Sequence, residues 1–340
     1  MNPPFLEWVA GHLRASEQDL LCEALPGDAS LRRYYRIGVG DLRTILADAS
    51  AEPGVTAHFI KTAHIFAESG VRVPDLLAWD SDCGWSLQED AGSQLLLPLL
   101  SDEDAGAHWY GAAFHLLQQL YKTCASSIAL PPYDRERLQI ELDVCEEWFL
   151  RGLMGWQPND HYLKAQQALH RLLLENALEQ PSILVHRDFH ARNLMVNASE
   201  ELVAIDFQDA LVGPYTYDLV SLLKDCYKRW PRDFVENQVK RFFEFASEVF
   251  DFGVDDAGFL EQFDLMGLQR HIKVLGVFAR LHLRDAKSAY LADLPRVIAY
   301  VEEALALYRD RHTEIAEFEQ VWFDCVKPLC VVQDWYRPCE

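Results

Sequence analysis

The sequence predicts an α+β fold in two lobes, a small β-rich N-lobe at 1–90 and a larger helical C-lobe at 91–340. Three observations predict it. At 340 residues the chain is longer than one hydrophobic core usually serves, so two lobes are expected. The first ninety residues carry short apolar stretches around turns, whereas the rest carries long apolar periodicities of helical spacing. That helical part is interrupted once, by short apolar runs within 182–205. Half of the residues are hydrophobic and a quarter charged, the profile of a globular enzyme.

Taken in order, "LRRYYRI" (31–37) and "LRTILAD" (42–48) read as strands joined by "GVGD", a glycine-rich hairpin turn. Residues 56–69 have the pattern of an amphipathic helix ended by Gly70. "GWSLQED" (84–90) is one more strand, and the lobe boundary falls at the "AGS" after it. In the second lobe "SDED" (101–104) reads as a capping box, with Ser101 three residues before Asp104. Trp109, Ala112, Ala113, Leu116, Leu117 and Leu120 then recur at helical spacing. His108 and His115 on this helix read as packing or surface residues, because no acidic or Cys partner for a metal accompanies them. Further helices are expected at 134–151, 160–178, 215–228, 232–250, 259–284 and 295–319. Between them "SILV" (182–185), "NLMV" (193–196) and "ELVAI" (201–205) read as strands of one small buried sheet, the last two joined across "NASE".

The net charge of −22 argues against nucleic acid or an anionic membrane surface as a partner, since phosphates would be repelled. No apolar run reaches the length of a membrane span, and the N-terminus lacks a basic stretch followed by an apolar one. Eight cysteines are scattered without a CxxC pair, which fits reduced thiols in a cytoplasmic protein.

The chemistry concentrates in "ILVHRDFHARNLMV" (183–196). Asp188 precedes Asn193 by five positions, and Asp206 follows Asn193 by 13, directly after a strand. Asn193 and Asp206 offer hard oxygen ligands for Mg²⁺, and Asp188 can accept the proton of a hydroxyl nucleophile. Either residue type alone at a strand end is more often a turn cap. The full HxDxxxxN string with a strand-terminal Asp at that spacing fits a kinase-type phosphoryl-transfer site.

"HRDFHARNLMV…VAIDFQDALVGPYTYDL" resembles the aminoglycoside-phosphotransferase and choline-kinase branch of the protein-kinase-like fold. "GDASLRRYY" and "GVRVPDLLAWD" (70–80) bring the resemblance nearer to the anomeric N-acetylmuramate and N-acetylglucosamine kinases of cell-wall recycling. It covers residues 25 to about 225. The resemblance implies a two-lobed protein-kinase-like fold that uses ATP and Mg²⁺ to phosphorylate the 1-hydroxyl of an amino sugar. Asp188 matches the catalytic base, and Asn193 and Asp206 match the magnesium ligands. Asp218 matches a residue that braces the catalytic loop, although a helix-start Asp favoured by the dipole reads nearly as well. His186 joins it as structural support. Gly27, Asp28 and Ser30 of "GDAS" fall in a phosphate-covering turn, with Arg32 beside it. Gln88, Glu89 and Asp90 fall at the hinge, where backbone groups meet an adenine edge.

Two departures from protein kinases matter. The strand that carries a phosphate-binding Lys there reads "RTILADA" here, and the only Lys in the first ninety residues is Lys61. Lys61 or an Arg of "LRRYYR" supplies that charge, or metal and backbone donors suffice; Arg32 and Arg33 read equally well as surface residues. Secondly, Asp206 and Asp218 are 12 positions apart and "DFQ" replaces DFG, which leaves no room for a peptide-binding activation segment. The acceptor is therefore a small molecule. "VCEEWFLRGLMGW" (144–156) holds the ingredients of a sugar site in Glu146, Glu147, Trp148 and Arg151, although most such stretches are a solvated helix face. Arg192 or Arg151 suits an acceptor carboxylate. Choline, homoserine or an aminoglycoside are alternative acceptors on the same fold. A nucleotide-binding pseudokinase is the reading the missing Lys would favour.

Overall fold

The structure, a computed structural model, describes residues 4–26, 32–123 and 125–337. Gly27, Asp28 and Ser30 of the expected phosphate-covering turn lie outside the described residues.

The N-terminal part is built on a five-stranded antiparallel sheet of order β1-β2-β3-β5-β4. Its strands are β1 (Leu21–Ala24), β2 (Arg33–Val39), β3 (Leu42–Asp48), β4 (Leu76–Asp80) and β5 (Trp85–Glu89). The β2–β3 hairpin turns where expected, with Val39 opposite Leu42 and Gly40 at φ +55°. Helix α1 (Phe5–Leu13) was not among the expected elements. It buries Phe5, Leu6 and Val9 against Ile37, Leu46 and Leu87 of the sheet. Strands β1 and β4 also escape the periodicity reading. β1 is exposed along its whole length, and "LLAWD" lacks an apolar–polar alternation.

Helix α2 (Pro53–Ser69) follows β3 and ends at Gly70, whose φ is +79° and whose N–H donates to Ala67 and Phe66 carbonyls. Its Phe59 and Phe66 do not pack with the small α1–sheet cluster. They join the large core that runs through the helical part of the chain.

Helix α3 (Glu103–Lys122) is capped by Asp102, which accepts from the Ala105 N–H at 2.9 Å. The expected capping box therefore shifts by one residue: Ser101 donates its hydroxyl to Asp102 Oδ2 at 2.9 Å instead of capping the helix. The expected single small sheet is two. Strand β6 (Gln94–Leu95) pairs with β8 (Leu194–Val196), which pairs with β9 (Leu202–Ala204); β7 (Ser182–Val185) pairs instead with β10 (Leu211–Pro214). "LVGP" hides β10, because Gly and Pro read as turn residues.

Helix α4 (Arg135–Val144) continues as a π-helical segment, Cys145–Leu153, and is followed by α5 (Asp160–Glu179). Then come α6 (Tyr217–Leu223), α7 (Arg232–Ala246) and α8 (Asp256–Asp285), of which α6 is shorter and α8 longer than expected. The widening after α4 has a packing partner. A Cβ on Gly276 of α8 would lie 2.4 Å from the carbonyl carbon and oxygen of Val144, so the two backbones touch where the α-helix becomes a π-helix. The helix expected over 295–319 is broken into α9 (Leu294–Tyr308) and α10 (Thr313–Val321). At the break Arg311 and His312 both reach Glu261 of α8, at 2.7 Å each, and the turn lets Phe318 meet Tyr162 of α5. Short π-helical and α-helical turns, Trp322–Val326 and α11 (Lys327–Val331), close the described chain. No helix among the described residues is long and apolar enough to cross a membrane.

Candidate active site

The loop between β7 and β8 is held from behind by a carboxylate. Arg187 takes a left-handed φ of +76°, which turns two consecutive backbone N–H groups the same way. Asp218, fully buried near the start of α6, accepts from the His186 N–H at 2.7 Å and the Arg187 N–H at 2.9 Å. Burial pushes the Asp218 carboxyl up to about 7, while those two donors and Arg270 pull it down. His186 is enclosed between Phe66 and Phe189, each at 5.7 Å. Burial lowers its imidazole to about 4, and its Nδ1 receives the Asp188 N–H at 3.3 Å. A second buried carboxylate, Asp225, accepts from the Ala191 N–H at 3.1 Å.

This frame presents Asp188, Asn193 and Asp206 together. Asn193 donates its amide to the Asp188 carbonyl at 3.0 Å and approaches Asp206 Oδ2 at 3.5 Å. With the amide nitrogen tied to the loop, its Oδ1 is left to face a ligand. Asp206 follows β9 in a left-handed conformation, φ +65°, which non-glycine residues adopt at a cost of order 1 kcal/mol and retain mainly where function requires it. Burial, and the nearby Asp188 and Asp209 charges, raise the Asp206 carboxyl above its ordinary value. A cation placed there would relieve that repulsion. An amide oxygen and a carboxylate are the hard donors Mg²⁺ takes when phosphates complete its shell, so the pair fits that ion. No cluster of three or more His, Cys, Asp or Glu suited to a metal exists among the described residues.

Asp188 has the opposite electrostatics. Its side chain is 41% exposed, enough to meet a substrate. Burial opposes its charge, but Arg270, His190, Lys273 and Arg187 outweigh it and hold the carboxyl below its ordinary value. Arg270 approaches Asp188 at 3.8 Å and donates to the Arg187 carbonyl and the Tyr217 hydroxyl, both at 3.0 Å. Lys273, one turn on, donates to Tyr217 at 3.0 Å and to Glu141 of α4 at 2.8 Å. Glu141 also receives Arg187 and the Tyr133 hydroxyl. Sequence reasoning missed Arg270, Lys273 and Glu141. Their only signal was an excess of charge at positions of α4 and α8 that the apolar periodicity assigns to the buried face.

The N-terminal part reaches this site at two points. Arg32 donates to the Tyr34 hydroxyl at 3.1 Å and to Gln208 Oε1 at 3.5 Å, and Gln208 in turn donates to Asp206 at 2.8 Å. Phe207 stacks between Phe59 and Phe66 of α2, 5.2 Å from each, and the His58 ring meets the Gln208 carbonyl at 2.8 Å. Lys61 is exposed on α2. At the end of β5, Gln88 is buried and donates to Ser86 at 3.1 Å. The Glu89 carboxylate is engaged by Arg72 at 2.8 and 2.5 Å, and its N–H by the Asp75 carbonyl at 2.9 Å. The Asp90 carboxylate takes Arg36 at 2.6 Å and the Gly92 N–H at 2.9 Å. These carboxylates brace the chain where it leaves the sheet.

Glu146, Glu147, Trp148 and Arg151 lie in the π-helical segment after α4. Arg151 pairs with Glu146 at 2.7 Å and with Gln157, while Trp148 packs against the core. The contact between this helix and the β7–β8 loop is made by Glu141, before that segment begins. Arg192 points elsewhere, over the ring of Tyr227 at 3.6 Å.

Residues 22–257 match the family described as phosphotransferase enzymes. The chain is 37% identical, over 86% of its length and 85% of the relative's, to an N-acetylmuramate/N-acetylglucosamine kinase of Pseudomonas aeruginosa. A protein of the same description from Neisseria meningitidis is 35% identical over 86% of this chain and 88% of its own. Among solved structures, a choline kinase from Streptococcus pneumoniae superposes with a TM-score of 0.61 at 14% identity, covering 87% of this chain and 97% of that one. An ADP-bound aminoglycoside phosphotransferase gives 0.60 at 14% identity, covering 89% and 99%.

Proposed function

Since the chain belongs to the phosphotransferase enzyme family, we propose that it is a kinase that transfers the γ-phosphate of ATP to the 1-hydroxyl of N-acetylmuramate and N-acetylglucosamine. The observation that carries the chemistry is the braced loop that sets an ionised Asp188 beside the Asn193–Asp206 pair. The amino-sugar acceptor is supported by relatives of that description at 35–37% identity over most of the chain, whereas the solved structures at 14% identity speak to the fold alone.

In this reading ATP lies between the sheet and the helical part, with its base at the chain beyond Glu89 and its phosphates toward Arg32 and Asp206. Asn193 and Asp206 would hold Mg²⁺, which when bound would neutralise phosphate charge. Asp188 accepts a hydrogen bond from the sugar 1-hydroxyl and orients its oxygen in line with the γ-phosphorus. As the new O–P bond forms, the bond from the γ-phosphorus to the β–γ bridging oxygen breaks. ADP leaves, and the hydroxyl proton passes to Asp188 and then to water. Asp188 is suited to this because its neighbours keep it ionised, and little more than positioning and charge is asked of the protein. Asp218 acts on the reaction only through the backbone it holds. Arg32, tied to Gln208, is the cation that takes the place of the absent strand Lys.

³¹P NMR of the protein with Mg·ATP and each sugar tests the proposal. The expected result is a new phosphate resonance coupled to the anomeric proton. Unchanged ATP with both sugars would overturn it.

A further inference from the structure

The backbone of Asp188 is tied on both sides. Its N–H donates to His186 Nδ1 at 3.3 Å, and its carbonyl receives the Asn193 amide and the His190 N–H at 3.0 Å each. Its carboxylate is held differently. Among the described residues no hydrogen bond reaches the carboxylate, and the cation within ion-pair distance is Arg270, whose Nη2 stops 3.8 Å from Oδ1. That separation attracts, but it is too long for a hydrogen bond. The other charges that act on Asp188 are committed elsewhere. Arg187 bonds Glu141 and the Asp209 carbonyl, Lys273 bonds Glu141 and Tyr217, and the His190 ring meets Tyr227 at 5.5 Å.

Arg270 is buried and has little freedom to swing. Its Nη1 donates to the Arg187 carbonyl and to the Tyr217 hydroxyl, both at 3.0 Å. One planar guanidinium therefore grips the loop at the residue before Asp188 and faces the Asp188 side chain with its other nitrogen. The same helix shows what a closed pair looks like. Asp264 of α8 takes two bonds from Arg232 at 2.7 Å each. A closed pair of that kind spends the carboxylate's lone pairs on the cation. The pair left open at Asp188 turns one oxygen toward the charge and keeps the lone pairs for an incoming hydroxyl.

We infer that Arg270 is the positioning residue of the reaction, which aims the Asp188 carboxylate at the acceptor hydroxyl without bonding to it. It acts through Asp188 and touches neither ATP nor sugar. The inference rests on the kinase reading above and adds to it the residue that aims the base.

The test measures kcat and both KM values for the wild type, Arg270→Met and Tyr217→Phe, with Asp188 intact and again in the Asp188→Asn background. Calorimetric ATP binding shows that each variant is folded. Arg270→Met should lower kcat about 10- to 100-fold and move either KM by less than about 3-fold, because aim is lost and binding is kept. Tyr217→Phe loosens the guanidinium without removing it and should act in the same direction by less. In the Asp188→Asn background both factors should shrink to nearly one, since an amide there is no base to aim. Wild-type kcat in Arg270→Met would overturn the inference. So would an equal fall in both backgrounds, which is what a residue that only holds the loop would give. Should Arg270→Met not fold, Tyr217→Phe decides on the same two readings. A wild type inactive on both sugars would instead remove the kinase reading, and this inference with it.

Discussion

At Asp188 burial and charge pull in opposite directions, and the charges win because Arg270, His190, Lys273 and Arg187 converge on one carboxylate. If that carboxylate takes the acceptor's proton, Asp188→Asn keeps its size and loses its basicity. The expected outcome is a fall in kcat of about 10²- to 10⁴-fold with ATP affinity, read by calorimetry, essentially unchanged. Wild-type turnover in this variant would remove Asp188 from the chemistry. The residues in front of the loop were legible in the sequence because they interrupt apolar runs at fixed spacing: Asp188, Asn193, Asp206 and Asp218 punctuate otherwise greasy stretches. Those behind it were not. Arg270 and Lys273 sit in "LQRHIKVL", among apolar positions of α8, but a charge on a helix is ordinarily read as solvated, and only the packing of α8 against the loop shows what they meet. The hinge carboxylates are a similar case. Glu89 and Asp90 are engaged by Arg72, in the connection before β4, and by Arg36 of β2, partnerships over 17 and 54 positions that no local pattern announces.

Among the elements, the long helix α8 does most to position the site, since it carries Arg270 and Lys273 and touches α4 backbone to backbone at Gly276. A side chain there has nowhere to go: its first carbon would fall 2.4 Å from Val144 atoms that belong to main chain, not to a yielding rotamer. Gly276→Val should therefore cost roughly 3 kcal/mol of stability, seen as an earlier urea midpoint. Gly11→Ala in α1, where a Cβ meets nothing within 4 Å, should leave the midpoint level or slightly later. Equal loss in both variants would contradict the close approach. Helices and hairpin strands were legible as elements because each has a period. The π-helical segment after α4 was not, since its residues have ordinary helical composition and its extra width answers to Gly276, far away along the chain. The pairing of β7 with β10 in place of β8 was likewise hidden, because the Asp218 bonds that hold the loop span 32 and 31 positions.

For the molecule as a whole, buried histidines set a response to acid. Burial lowers His271, which stacks on Tyr300 at 4.4 Å and meets the Lys224 carbonyl at 3.0 Å, from 6.5 to about 3. A histidine held neutral in this way contributes stability that is complete above pH 6.5 and is lost as pH falls through the range down to its folded value. The slope is about 1.4 kcal/mol per pH unit for each such group. Asp218, raised to about 7 by burial, works in the opposite sense over much of the same range, so the clean quantity is a difference. The stability of the wild type minus that of His271→Gln, from urea unfolding at several pH values, should shrink by about 3 kcal/mol between pH 6.5 and 4.3. Parallel curves would mean that His271 is not held neutral. A last consequence concerns control. The stretch between Asp206 and Asp218 is occupied by β10, hydrogen-bonded along its length to β7, so the place where a regulated kinase keeps a switchable strap is already stitched into the sheet. Order in that stretch therefore comes from backbone pairing with β7 and needs no modification to set it.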